Sequence, residues 1–232
     1  METHRADGLR VWTKTVEVHD WELDKHLFVE TMPSMRDWFD INNGGYGYAD
    51  PFSSIALAGA GGERLWLFSP NSAEVRGYSV DGALEVVARA AWSRVPVTRE
   101  DERRWREFAM GRRVNPASRR RQLDHHRRIE FPDSLPLFED IQVDPDGNVW
   151  LARFEPPWSG EDRVWEVVSR DGEWLGSVRL PVAAFVSCAR RRPMSIRCRA
   201  VMFTSRTHVL TRQVGELGEQ RVMLFRIQKR ED

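Results

Sequence analysis

Long hydrophobic runs are missing from this chain of 232 residues: the longest apolar stretch, around Leu180 to Cys188, is under half the length that spans a bilayer. Residues 1–10, METHRADGLR, lack the apolar segment of a secretory signal, so the chain reads as soluble and untargeted. The sequence leaves the location open: the cell envelope or periplasm if a signal lies upstream, otherwise the cytoplasm. Cysteine is scarce. Cys188 and Cys198 are too few for a disulfide framework or a four-thiolate zinc site, and spacing alone does not decide whether they pair. Lysine is rarer still in proportion, with only Lys14, Lys25 and Lys229 against 32 arginines, the imprint of codon bias in a GC-rich genome. No charge excess exists either. The 35 basic and 35 acidic side chains cancel, which removes any global argument for nucleic acid or an anionic membrane as partner.

Catalytic and metal signatures are absent as well. No Gly-x-Ser-x-Gly elbow, His-Glu-x-x-His or Cys-x-x-Cys occurs. The glycine-rich Asn43-Gly44-Gly45-Tyr46-Gly47-Tyr48 lacks the Gly-Lys-Ser/Thr ending of a phosphate loop and reads as a turn or connection. Adjacent His125 and His126 point about 100° apart on a helix and cannot chelate one ion from one face, so they read as surface residues. Asp144-x-Asp146-x-Asn148 with Glu155 mimics a calcium loop, but the glycine needed at its sixth position is Val149, so a turn is expected. No cofactor and no metal site follow from these residues.

What the chain does hold is a repeat. Residues 53–87 and 139–178 each give a short apolar strand, a tight turn, a Trp-centred strand, a loop, a third strand, an Asp-Gly turn and a fourth strand. Trp66 matches Trp150, and Ser79, Asp81 and Gly82 match Ser169, Asp171 and Gly172. The length difference falls in the loop, Pro70 to Ala73 against Pro156 to Asp162, where repeats tolerate it. Asp-Gly at 81–82, 146–147 and 171–172 predicts two-residue type I′ hairpin turns. Leu65-Trp66-Leu67-Phe68 is apolar throughout, so its strand must be covered on both faces, as in sheets stacked against sheets. The ten tryptophans suit such packing. The fold class is therefore all-β: a partial β-propeller of four-stranded antiparallel blades with a short α-helical insertion.

Glu139–Leu151 followed by Val164–Leu175 resembles a blade of the NHL-like six-bladed β-propellers. The similarity is greatest to uncharacterised bacterial propeller proteins with an Arg-rich helical insertion before such a blade. It covers residues 50–180, with a weaker echo at 207–228. The shared motif specifies turns and packing and carries no chemistry. Such proteins are usually longer, and often exported or anchored to the envelope.

The resulting organisation is an irregular N-terminal segment with a partial blade (1–50), a blade (51–94), an Arg-rich helical insertion (95–135), a second blade (136–181) and a partial C-terminal blade (182–232). In the first segment Lys14 to Val18 and His26 to Glu30 read as a strand pair. In the last, His208 to Thr211 and Arg221 to Ile227 flank a Gly215–Gly218 turn. Without the insertion the chain offers roughly four and a half blades, at about 40–45 residues each. A truncated member of the family is the favoured account, ahead of a homodimer of half-propellers completing one ring and of a short irregular ring.

In the insertion, Thr98-Arg99-Glu100-Asp101 resembles a capping box, and Trp105, Phe108 and Ala109 follow at helical spacing as a docking face. A second helix is expected from Pro116 towards Arg128. Ten arginines lie between Arg103 and Arg128 against only Glu107 and Asp124. Arg112, Arg113, Arg119, Arg120 and Arg121 are accordingly the candidate binding residues, facing an acidic protein or anionic ligand. A nucleic acid is disfavoured, because no aromatic interleaving or known module accompanies the run. A second cluster, Arg190, Arg191, Arg192, Arg197 and Arg199, reads as loop and charged edge strand. The functional expectation is a non-catalytic binding or scaffold propeller. The alternative is a metal-dependent hydrolase or lyase of the propeller type, with a central-channel site that inner-strand residues such as Asp140 would line.

Overall fold

The computed structural model describes residues 8–20, 22, 24–40, 46–49, 51–69, 73–110, 123, 126, 127, 129–181, 201–205, 207–214 and 220–228. These form four antiparallel sheets and one α-helix, each sheet a meander with its strands in chain order. The N-terminal sheet contains β1 (Gly8–Asp20), β2 (Lys25–Asp40) and β3 (Tyr46–Ala49). The second contains β4 (Leu57–Gly61), β5 (Arg64–Ser69), β6 (Glu74–Ser79) and β7 (Leu84–Arg89). Helix α1 (Arg99–Met110) follows, and then the third sheet, β8 (Phe138–Val143), β9 (Val149–Arg153), β10 (Arg163–Val168) and β11 (Trp174–Leu180). The C-terminal sheet contains β12 (Val201–Thr204), β13 (His208–Val214) and β14 (Gln220–Arg226). The protein is all-β with one helical insertion, and its two complete sheets are four-stranded blades of a partial propeller.

Side-chain alternation explains the stacking. On β5, Leu65 and Leu67 point one way, to Met32 and Tyr78 with Val16, Val18 and Phe28 of the N-terminal sheet around them. Trp66 and Phe68 point the other way, into a core with Ile141, Val149, Leu151 and Val168 of the third sheet. That sheet repeats the arrangement: Val149 and Leu151 face back, while Trp150, with Ala152, Trp165 and Val167, packs forward against Val209 of β13. Each central strand is thus apolar on both sides because each sheet is covered on both sides. Four sheets stack in the order of the chain.

Between the two blades the most extensive strand-to-strand contact is β4 on β8. Close approach requires small residues there. A Cβ on Gly61 would lie 2.8 Å from Cγ1 and 2.9 Å from Cβ of Val143. Gly77 likewise lies under the Trp66 ring, its register partner, at 2.9 Å from where a Cβ would stand.

Three expectations are corrected. Asp81, Asp146 and Asp171 keep negative φ, and only the following glycines are left-handed, at φ 93°, 84° and 92° for Gly82, Gly147 and Gly172. These are three-residue loops closed by a left-handed glycine, not type I′ turns. Gly82 and Gly172 donate to the carbonyls of Ser79 and Ser169, both at 3.0 Å. The sole type I′ geometry among the described hairpins is Gly62-Glu63, at φ 58° and 62°. Second, Tyr46, Gly47 and Tyr48 are strand, not connection, because β2 runs on to Asp40 and presents Asp37–Asp40 as an edge to pair with. Third, His126 is buried, 7% exposed, because Trp105 covers it.

The capping box is as expected from the sequence. Thr98 N–H donates to Asp101 Oδ2 (3.0 Å) and Asp101 N–H to Thr98 Oγ1 (3.1 Å). Cys188, Cys198, the Arg190–Arg199 cluster, Asn43–Gly45 and the Gly215–Gly218 turn lie outside the described residues.

Candidate functional site

The insertion leaves the second sheet after β7 and returns at β8. Its two ends are tied together where Val97 N–H donates to Asp133 O (3.0 Å) and Leu135 N–H to Val95 O (2.8 Å). Between them α1 is seated on an aromatic cluster. Phe52, in the connection from β3 to β4, is its centre, with Phe131, Phe154 and Trp158 at ring-centroid distances of 5.9, 6.0 and 6.1 Å. Helix α1 contributes Phe108, 5.9 Å from Trp158, and Trp105, 5.6 Å and edge-on to Phe131. Trp158 lies in the longer loop of the second repeat, so the length difference between the copies supplies part of the seat. The spacing of Trp105 and Phe108 anticipated one side of this contact. Phe52, Phe131, Phe154 and Trp158 were missed, since they flank elements and follow no period.

Charge on α1 is largely self-contained. Arg103 reaches Glu100 (2.6 Å) and Glu107, Arg104 reaches Glu100 (2.7 Å), and Arg106 reaches Glu102 (3.2 Å). Bonds from Arg103 and then Arg104 hold the Glu100 carboxyl down at about 2. All are solvent-accessible pairs, individually worth little to stability. Their consequence is that the glutamates of the helix are occupied by its own arginines. Arg106 also lies 4.6 Å over the Phe131 ring.

The five arginines singled out in the sequence, Arg112, Arg113, Arg119, Arg120 and Arg121, fall outside the described residues, as does most of the expected second helix. The chain on either side is described: α1 ends at Met110, and Leu123 and His126 are helical, with Arg127 N–H donating to Leu123 O (3.2 Å). His126 lies 5.1 Å from the Trp105 ring. Burial, and secondarily the Arg106 cation, push its pKa below the ordinary histidine range.

Two other polar centres serve the fold. Asp144 accepts from the N–H groups of Asp146 (3.0 Å) and Asn148 (2.8 Å), from Asn148 Nδ2 (3.0 Å) and from Trp150 Nε1 (3.0 Å). The calcium-like run is thus a hydrogen-bonded turn. Glu166, 1% exposed, accepts from Arg153 Nε, Trp174 Nε1 and Ser177 Oγ at 2.6, 2.7 and 2.9 Å. Asp140 accepts from the N–H of Ile141 (2.9 Å). Among the described residues no three His, Cys, Asp or Glu side chains gather as a metal site, and no helix is long and apolar enough to cross a membrane. A cavity of about 100 Å³ between the first two sheets is lined by Glu30, Met32, Leu67, Arg76 and Tyr78. Arg76 is already bonded to Glu74 there.

No protein-family model and no curated protein matches the chain.

Proposed function

We propose that the protein is a non-catalytic binding or scaffold propeller of the NHL-like class it resembles. In this reading the stacked sheets hold the insertion and present Arg112, Arg113, Arg119, Arg120 and Arg121 to an acidic protein or anionic ligand. One observation carries the reading: the glutamates of α1, Glu100, Glu102 and Glu107, are bonded to its own arginines, and Asp101 is bonded to Thr98 in the cap. The run 111–123 that follows contains five arginines and no Asp or Glu. Asp124 is the nearest acid after the run and balances one of its five charges at most, while the helix before it is anchored by Trp105 and Phe108.

The test is a titration with a fluorescein-labelled polyglutamate peptide, followed by anisotropy over a range of salt. Binding is expected to weaken steeply as salt rises, because the contacts are charge pairs. Replacing Arg119, Arg120 and Arg121 together by Glu is expected to abolish it. Affinity and salt dependence left unchanged by that triple replacement would overturn the proposal.

A further inference from the structure

Among the described residues the C-terminal sheet ends on an open edge. Its strands run in the order β12-β13-β14, whereas each complete blade carries a fourth strand, β7 or β11, beyond its third. We propose that the protein forms a homodimer through this edge, the β14 strands of two copies pairing antiparallel about a two-fold axis. The inference is independent of the binding reading and uses no part of the insertion.

The edge has the form of a pairing template. The outer strands of the complete blades are interrupted: β7 loops out Glu85 between Leu84 and Val86, and β11 loops out Leu175 between Trp174 and Gly176. Such bulges deter a further strand. β14 has none, and its seven residues match β13 one for one from Gln220 to Arg226. It also holds neither Lys nor Pro, the residues that commonly blunt an edge. Ile227 N–H donates to Thr207 O (2.8 Å), so by alternation the backbone groups of Arg221, Met223 and Phe225 turn to β13 and those of Val222, Leu224 and Arg226 turn outwards. One face of the sheet is already used: Phe225 is the register partner of Val209, and Val209 and Ile227 pack on the core of the third sheet. The other face carries Val222 and Leu224, 62% and 65% exposed, with Leu210 of β13 beside Leu224.

The strand fits itself, which is why the partner is a second copy. Centred on Met223, antiparallel self-pairing of Gln220-Arg221-Val222-Met223-Leu224-Phe225-Arg226 sets Val222 opposite Leu224 of the second copy. Arg221 then lies opposite Phe225 of the second copy, and Arg226 opposite Gln220 of the second copy. Aliphatic meets aliphatic and cation meets aromatic, each on both sides of the axis, and no arginine opposes an arginine. The register also brings outward-turned backbone groups together, those of Val222 with those of Leu224 of the second copy, as an antiparallel ladder requires. Leu210, Leu224 and Val222 of the second copy form one apolar row across the joined sheet, and the two-fold axis repeats it. A single self-complementary edge on each copy closes as a dimer and does not grow further.

Sedimentation velocity of the full chain over a concentration series, with amide hydrogen exchange read at its two ends, tests the dimer. The mass is expected to rise from one chain to two and stop, with the amides of Val222, Leu224 and Arg226 protected only where the dimer is populated. Val222→Lys with Leu224→Lys sets lysine against lysine and is expected to weaken association by at least about tenfold. Val222→Glu with Leu224→Lys sets glutamate against lysine on both sides of the axis and is expected to recover it. Both positions are exposed, so the fold should tolerate the changes; Leu224→Lys alone replaces the first variant if that one does not fold. A single chain at every concentration up to about 0.1 mM would overturn the proposal, and so would a mass that grows past two chains. A dimer whose three outward amides exchange freely places the interface elsewhere, and a folded lysine variant that associates like the parent has the same meaning. Failure of the glutamate–lysine variant to recover the dimer overturns the pairing centred on Met223.

Discussion

The two complete sheets, β4–β7 and β8–β11, are built to one pattern and differ, apart from the length of their middle loop, at their first turn. In both, the second strand sends a tryptophan forward and aliphatic residues back, and a serine closes the last turn. Ser79 Oγ accepts from Ala83 N–H (3.1 Å), and Ser169 Oγ from Glu173 N–H (3.0 Å). The first turns part company. In the third sheet Asp144 gathers four donors, including the indole of Trp150. In the second, strand pairing puts Gly61 at that place, and the loop is one residue shorter. Trp66 Nε1 is buried with no acceptor among the described residues. A buried aromatic of about 150–250 Å² contributes roughly 4–6 kcal/mol at 25 cal/mol per Å². An unpaired donor costs about 1–3 kcal/mol, so burial wins and the sheet forms without the carboxylate. Apolar alternation sets the register; the polar turn is an addition to it. Nor is the acid free to appear in both copies, since a side chain at Gly61 would strike Val143 of the next sheet.

Removing that addition gives the largest expected effect. Asp144→Ala should lower stability by about 3 kcal/mol, since it strips the turn of a buried acceptor for two backbone and two side-chain donors. The measure is the urea midpoint at unchanged slope. A loss under about 1 kcal/mol would mean that the third sheet, like the second, is held by packing alone.

The paired tryptophans sharpen the point. Trp66→Phe and Trp150→Phe remove the same ring area from equivalent positions, but only the second deletes a hydrogen bond to a carboxylate. Trp150→Phe is expected to cost about 2 kcal/mol more than Trp66→Phe. Equal losses in parallel denaturant titrations would remove Asp144 from the account of why the copies differ.

Such differences show where sequence reading succeeds and where it stops. The repeat was legible because alternation and Asp-Gly pairs are local: Trp66 with Trp150, and 81–82 with 171–172, align by inspection. Turn type was not, because a dipeptide does not state loop length. The Ser79–Ala83 and Ser169–Glu173 closures, which make the loops three residues long, appear only once the strands are paired. The strand at Tyr46–Ala49 was hidden by its glycine, and it forms because β2 offers an edge. In the candidate site, Trp105 and Phe108 were legible from helical spacing and the cap from Thr98 and Asp101. Phe52, Phe131, Phe154 and Trp158 come from three separate connections, and only the fold brings them together. His126 was misread as a surface residue because burial by a tryptophan 21 positions away leaves no local mark.

The smallest effect tests the turns themselves. The second sheet's first turn places Glu63 at φ 62°, a conformation costing an ordinary residue about 1–2 kcal/mol, whereas the third sheet's turn places Gly147 at φ 84°. Exchanging the residue types should move stability in opposite directions. Glu63→Gly is expected to stabilise by about 0.5–1 kcal/mol, the relief of strain being partly offset by the wider unfolded ensemble of glycine. Gly147→Ala is expected to destabilise by about 1 kcal/mol, since the Cβ at that φ meets only ordinary van der Waals neighbours, Arg170 Cβ at 3.5 Å and Gly62 Cα at 3.8 Å. The cost there is conformational rather than steric, which is why it should be close to the Glu63 strain in size. Thermal midpoints of both variants, measured side by side, decide it. If Glu63→Gly destabilises, the left-handed glutamate is compensated by contacts that its turn geometry does not reveal, and the second sheet is not the less optimised of the two.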